Sequence, residues 1–217
     1  MNSRLSEKEG LASLMLRLRG EGISDRTLIL AAEQTPRSLF APPAYSDLAY
    51  SGRTLPLDCG EYMEGADLSL RMLHLLGLGA GQRVLEIGTG SGFTAAVMAR
   101  IADRVVTIDR YRTLSQLAGQ KFEHLGLKNV VAQVGNGLDK DAVDGTFDRI
   151  LVTAAFDSMP RMFVEKLVSR GVMITAIGPA EEPQMLVRLT KTGSRFERED
   201  LFPVRFQPLL GTAAAVL

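Results

Sequence analysis

The chain has little of several things that would each have pointed to a different kind of protein. Cys59 is the only cysteine in 217 residues, which excludes an intrachain disulfide and any multi-cysteine metal site. The two histidines, His74 and His124, fall in separate expected helices and give no metal-ligand spacing, so no metal is expected. Lysine plus arginine (25) equals aspartate plus glutamate (25), so no net field draws the chain to nucleic acid or to anionic lipid. No stretch approaches the roughly 18–20 apolar residues of a membrane span. The first ten residues mix acids and bases and lack the apolar core of a secretory leader. A cytoplasmic protein with a small or neutral substrate is the expectation. Hydrophobic residues make up 46% of the chain, enough for a sizeable core.

The pattern then gives an order of elements. Leu11, Leu14, Met15 and Leu18 recur at helical spacing, and Ser24 before Leu28 and Leu30 opens a second helix. Pro36, Pro42, Pro43 and Pro56 make 35–59 an irregular loop packed on the main body. A helix over 68–76 leads to a buried strand over 83–87. Helices over 93–101 and 113–125 alternate with strands over 104–108 and 130–134. A strand over 147–153, a helix over 160–167 and a strand over 171–177 follow. This alternation implies an α/β fold, a doubly wound, mostly parallel, Rossmann-like sheet with helices on both faces. Strands over 185–190 and 201–206, around a turn at Lys191-Thr192-Gly193, form an antiparallel C-terminal edge. We expect an N-terminal helical cap and loop (1–60) packed on a main domain (61–217), with a small-residue tail at Ala213, Ala214 and Ala215.

The chemistry concentrates in Val84-Leu85-Glu86-Ile87-Gly88-Thr89-Gly90-Ser91-Gly92-Phe93. It runs from strand through loop to helix, where an open α/β sheet binds ligands. A dinucleotide fingerprint wants a glycine at 93, where Phe93 stands, and the lysine of a triphosphate loop is absent. The acidic Glu86 would repel a pyrophosphate but could hold a cationic amino-acid group, directly or through water. S-adenosylmethionine carries an ammonium and a sulfonium. Asp109 ends the second strand seventeen residues beyond Gly92 and can accept from both ribose hydroxyls. Asn136, in Gly135-Asn136-Gly137, is either a turn former or a reader of the adenine edge. The candidate cofactor set is Glu86, Gly88, Thr89, Gly90, Ser91, Gly92, Phe93, Asp109, Arg110, Asn136 and Gly137. Arg161 and Arg170 could face an anionic substrate, although Lys166 beside them fits a solvated basic face.

With these motifs the sequence resembles the protein-L-isoaspartate O-methyltransferases. The likeness extends to Leu55-Pro56, to Phe147-Asp148-Arg149-Ile150-Leu151-Val152-Thr153-Ala154-Ala155, to Pro160, and to Val204-Arg205-Phe206-Gln207-Pro208-Leu209-Leu210-Gly211. The resemblance implies transfer of a methyl group from S-adenosylmethionine to the α-carboxylate of isoaspartyl residues in damaged proteins, leaving S-adenosylhomocysteine. The family's Thr-Ile-Ser segment falls on Tyr62-Met63-Glu64, its following proline on Ala66, its Gly-Asp-Gly on 135–137, and its tyrosine on Phe93. Glu64 is therefore a candidate catalytic residue on the substrate side. There it would repel a carboxylate acceptor by about 4 kcal/mol at 4 Å and an effective dielectric of 20. It would favour a cationic acceptor, or one needing a base. A solvent-facing Glu64 is the plainer alternative. A peptide or protein acceptor leads, a small-molecule acceptor follows, and a non-catalytic adenosyl-binding protein is the third reading.

Overall fold

The computed structural model describes residues 7–210, so Gly211 and the alanines at 213–215 lie outside the described residues. Two helices open the chain, α1 (Glu7–Gly20) and α2 (Arg26–Glu33). The cap of α2 is Asp25, one residue past the serine the pattern indicates. Its carboxylate accepts from the N–H groups of Thr27 at 2.8 Å and Leu28 at 3.3 Å and so satisfies two orphan donors of the first turn. Short 3₁₀ turns follow, then a two-residue pair, β1 (Leu55–Pro56) with β2 (Tyr62–Met63), and helix α3 (Ala66–Leu76).

The main sheet comprises β3 (Arg83–Ile87), β4 (Arg104–Asp109), β5 (Val130–Val134), β6 (Phe147–Phe156), β7 (Leu167–Ile177), β8 (Gln184–Thr192) and β9 (Arg195–Val204). Helix α4 (Phe93–Ala99) joins β3 to β4, and α5 (Arg112–His124) joins β4 to β5. The order is β5-β4-β3-β6-β7-β8-β9. The first five of these strands are parallel, whereas β8 and β9 are antiparallel. The chain leaves β3 in one direction and returns on its other side as β6, so the ligand-binding crevice of an open sheet falls at the carboxyl ends of β3, β4 and β6. The polar run Arg195, Glu197, Arg198, Glu199 and Asp200 is strand rather than loop. Its charges suit the exposed edge, where they oppose pairing with another chain.

Alternate side chains divide between two cores, as a pleated strand requires. Val84, Val105, Leu151, Ile174 and Leu186 join one cluster with Leu14, Leu18, Phe40, Leu70, Leu73 and Met98 of the helices and the N-terminal loop. Leu85, Val106, Ile150, Met173 and Val187 join the other with Phe163 and Leu167. The N-terminal residues thus share one core with the sheet, and Arg17 on α1 binds Asp67 of α3 at 2.6 Å. The helical layer on the second face is thinner than the sequence pattern implies. Where a helix over 160–167 is expected, only the 3₁₀ turn Arg161–Val164 forms, and β7 begins at Leu167. Strand β6 runs on to Phe156, leaving ten residues that include Pro160, too few and too constrained for a helix that packs back on the sheet.

Two glycines give opposite expectations. A Cβ on Gly65 would lie 2.3 Å from the carbonyl oxygen of Gly52, a backbone atom that cannot turn aside, whereas one on Gly119 in α5 meets nothing within 4 Å. Gly65→Ala should lower unfolding free energy by about 2–4 kcal/mol, an overpacking cost. Gly119→Ala should raise it by about 0.5–1 kcal/mol through helix propensity. Urea unfolding of both variants beside the parent checks the pair, and equal shifts of either sign would contradict it.

Candidate active site

A cleft of about 530 Å³ opens at the carboxyl ends of β3, β4 and β6. Its floor is the glycine loop. Gly88 and Gly92 have φ values of +95° and +88°, which side-chain-bearing residues rarely adopt. A Cβ on Gly88 would sit 2.4 Å from Thr153 Oγ1, whose hydroxyl donates to the Gly88 carbonyl at 3.0 Å. The backbone of Gly88 and Gly90 is therefore what a ligand meets, and both line the cleft.

Asp109 ends β4 and also lines the cleft. One oxygen accepts from Gly90 N–H and the other from Tyr111 N–H, each at 2.9 Å. Burial pushes its carboxyl above the ordinary value, and the backbone donors partly oppose that. A carboxylate has about four acceptor sites, and with backbone donors from Gly90, Tyr111 and Thr89 capacity for a ribose hydroxyl remains. Arg110 lines the cleft beside it, with Nε buried and unpartnered among the described residues.

Glu86 is placed differently from the expectation. It has no exposed surface, and both oxygens are engaged: Thr94 Oγ1 donates to one and Thr107 Oγ1 to the other, the latter at 2.6 Å. Thr89 Oγ1 meets Thr107 Oγ1 at 2.7 Å and extends this buried network. Glu86 therefore ties β3 to β4 and α4 and does not line the cleft. Ser91 Oγ accepts from Phe93 N–H at 3.3 Å, and the Phe93 ring turns inward, edge-on to Phe40 at 5.6 Å with the Arg37 guanidinium 4.3 Å from its centroid. Asn136 Oδ1 accepts from Leu138 N–H at 2.9 Å, the turn-forming role, and the next residue, Gly137, lines the cleft.

Glu64 does not simply face solvent. It lines the cleft and also a small polar cavity of about 20 Å³ beneath the glycine loop. Burial pushes its carboxyl up to about 7, with the Arg37 charge acting against the rise. Arg37 is itself 1% exposed. It donates to the carbonyls of Ala49 (2.7 Å) and Glu64 and to Ser69 Oγ (3.3 Å). Burial lowers its pKa to about 10, which leaves it cationic at neutral pH. The far wall is the segment after β9. Ala155 N–H donates to Gln207 O at 2.9 Å, and Leu209 N–H donates to Ala155 O at 2.8 Å. The buried Gln184 side chain accepts from Phe206 N–H at 2.9 Å. Gln207, Pro208 and Leu209 are thereby held on the same cleft as Glu64, and Gln207 Nε2 donates to the Gly60 carbonyl at 3.3 Å. Arg161 and Arg170 are exposed and do not line it.

Sequence reasoning missed Arg37, Gln184 and Thr153 as site-building residues. Only Thr153 carried a signal, its position at a parallel strand end.

The Glu86 network has a pH signature. Burial pushes this carboxyl up to about 8, against the two threonine donors. Between its ordinary value near 4.5 and about 8, the folded protein holds a proton the unfolded chain has released, so stability falls as pH rises through that window. Glu86→Gln removes this contribution. Urea midpoints at about pH 5.5 and 8.5 should differ less in the variant than in the parent, and an unchanged difference would mean that Glu86 does not titrate there.

The whole architecture has known counterparts. The family model for protein-L-isoaspartate (D-aspartate) O-methyltransferase matches residues 9–214. A protein-L-isoaspartate O-methyltransferase of Rhizobium meliloti is 53% identical over 204 residues, covering 94% of this chain and 100% of that one. Its counterpart in Azorhizobium caulinodans is 42% identical over the full length of both. Among solved structures, one protein-L-isoaspartate O-methyltransferase superposes with a TM-score of 0.79 at 27% identity, over 94% of this chain and 67% of that one. The β-aspartate methyltransferase of Plasmodium falciparum, solved with S-adenosyl-L-homocysteine, gives 0.79 at 22% identity over 91% and 97%. With a family match along nearly its whole length and the sheet order and cleft described above, the chain belongs to the protein-L-isoaspartate (D-aspartate) O-methyltransferase family of S-adenosylmethionine-dependent carboxyl methyltransferases.

Proposed function

We propose that this chain methylates the α-carboxylate of isoaspartyl residues in peptides and proteins, in the cytoplasm, as the first step of their repair. The observation that carries the reading is a single cleft joining two kinds of wall, with Gly88, Gly90 and Asp109 on one side and Gln207, Pro208 and Leu209 on the other. The first suits an adenosyl cofactor, and the second, a segment fixed by its hydrogen bonds to Ala155, gives a stable rim against which a peptide can lie. Among the described residues no helix is long and apolar enough to cross a membrane.

When bound, S-adenosylmethionine would supply a methyl group on a sulfonium, its C–S bond breaking to leave a neutral thioether as the acceptor oxygen bonds to the methyl carbon. The work left to the protein is positioning. An acceptor carboxylate is already ionised at neutral pH, so no general base is required, and fixing the two reactants in line lowers the barrier. Asp109 would take a ribose hydroxyl and Gly137 would approach the adenine, while Gly88 and Gly90 leave room for the amino-acid arm.

Labelled methyl transfer to an isoaspartyl peptide, measured beside its ordinary aspartyl twin, tests the acceptor. Transfer to the isoaspartyl peptide alone is expected. Equal transfer to both, or none to either while S-adenosylhomocysteine binds, would sink the reading. Asp109→Ala should weaken S-adenosylhomocysteine binding by about 10–100-fold, the loss of charge-assisted hydrogen bonds, as read by calorimetry. An unchanged affinity would remove Asp109 from the cofactor site.

A further inference from the structure

The sequence assigns the cationic end of the cofactor to Glu86, but both oxygens of that carboxylate are taken by Thr94 and Thr107 and the residue has no exposed surface. Glu64 is the carboxylate that fronts the ligand space at this end. It borders the cleft together with Gly88 and Gly90, and it borders the small inner cavity together with Thr89, Ser91 and Arg37. That cavity has room for about one water and is bordered by the glycine loop.

The backbone that presents Glu64 is held on both sides. Arg37 takes its carbonyl oxygen. The next residue, Gly65, packs on Gly52 so closely that a Cβ would not fit, and its carbonyl accepts from Ser69 N–H at 3.0 Å and Ser69 Oγ at 3.1 Å. The Cα of Glu64 is thereby held at the border of both the cleft and the inner cavity. The other charges near it are Arg37, whose hydrogen bonds go to neutral acceptors, and the carboxyls of Glu61 and Glu86, which add repulsion. A mobile cation on the ligand is the missing partner.

Resting on the methyltransferase reading above, we propose that Glu64 pairs with the ammonium of the amino-acid arm of S-adenosylmethionine, on the cofactor side of the reaction. This assignment also removes the conflict with an anionic acceptor. The ammonium neutralises Glu64, so the carboxylate of an isoaspartyl residue approaches a balanced ion pair rather than a bare negative charge. Burial of Glu64, which disfavours its ionised form in the free protein, is offset when that cation arrives.

The test compares two ligands that share the adenosine and the thioether. S-adenosylhomocysteine carries the ammonium-bearing arm, and 5′-methylthioadenosine lacks it. Calorimetric binding of each to the parent and to Glu64→Gln should show S-adenosylhomocysteine weakened by about 10–100-fold, the range for a charge-assisted contact, and 5′-methylthioadenosine within about twofold. Equal weakening of both ligands would mean general damage to the pocket, and unchanged S-adenosylhomocysteine binding would mean no contact; either overturns the proposal. Because the binding comparison needs no turnover, a failure to methylate isoaspartyl peptide would count against the acceptor alone.

Discussion

One buried cation organises the wall of the cleft. Taking a guanidinium out of water costs several kcal/mol, and at Arg37 that cost is offset by hydrogen bonds to two carbonyls and a hydroxyl and by the face of Phe93. Those partners come from four places: the loop at Ala49, the corner at Glu64, helix α3 at Ser69, and the first turn of α4. If any one of them moved, a buried donor would lose its acceptor, which is expensive in a low-dielectric interior. The N-terminal loop, the presentation of Glu64 and the glycine-loop helix are consequently coupled through a single side chain. The cofactor end of the cleft does not depend on the sheet alone.

That dependence explains which features could be read from the sequence. The glycine loop and Asp109 were legible because both are local: alternating glycines force an open turn, and a carboxylate ending a β-strand next to the switch point has only one place to be. The antiparallel hairpin was legible from Gly193 and flanking alternation, although its charged half looked like a loop because an edge strand is exposed on more sides than an inner one. Arg37 was not legible. Its acceptors lie 12, 27 and 32 residues away in sequence, and an arginine among prolines looks like surface until the fold closes over it. Glu86 was read with the right location and the wrong partners, because Thr94 and Thr107 look like ordinary helix and strand residues until the register of β3 beside β4 pairs Glu86 with Thr107. The missing helix after β6 is a related case: Pro160 was taken as a helix start, but a strand extended to Phe156 consumed the residues the helix needed.

The charge pattern around the cleft follows the chemistry. Burial raises the carboxyls of Glu61, Glu64 and Asp109, and repulsion from a neighbouring acid adds to it at Glu61 and Glu64. A ligand bearing an ammonium and a sulfonium relieves that crowding, whereas a nucleotide polyphosphate would worsen it. The same imbalance distinguishes reactant from product. After transfer the sulfur is neutral, and one of the positive charges the acidic wall attracts has gone.

An acidic wall beside an anionic nucleophile looks self-defeating until the two ends of the cleft are separated. Asp109 spends its charge on backbone N–H groups at the β4 end, and Glu64 sits at the glycine-loop end with a fixed cation behind its carbonyl. The opposite wall, made by the backbone of Gln207 and Leu209 locked onto Ala155, carries no acidic side chain between Arg205 and Leu210. That wall presents peptide groups and Arg205 to the cleft. The division of charge thus follows the division of labour, with negative charge reserved for the cofactor's two cations and a neutral-to-positive approach left for the acceptor.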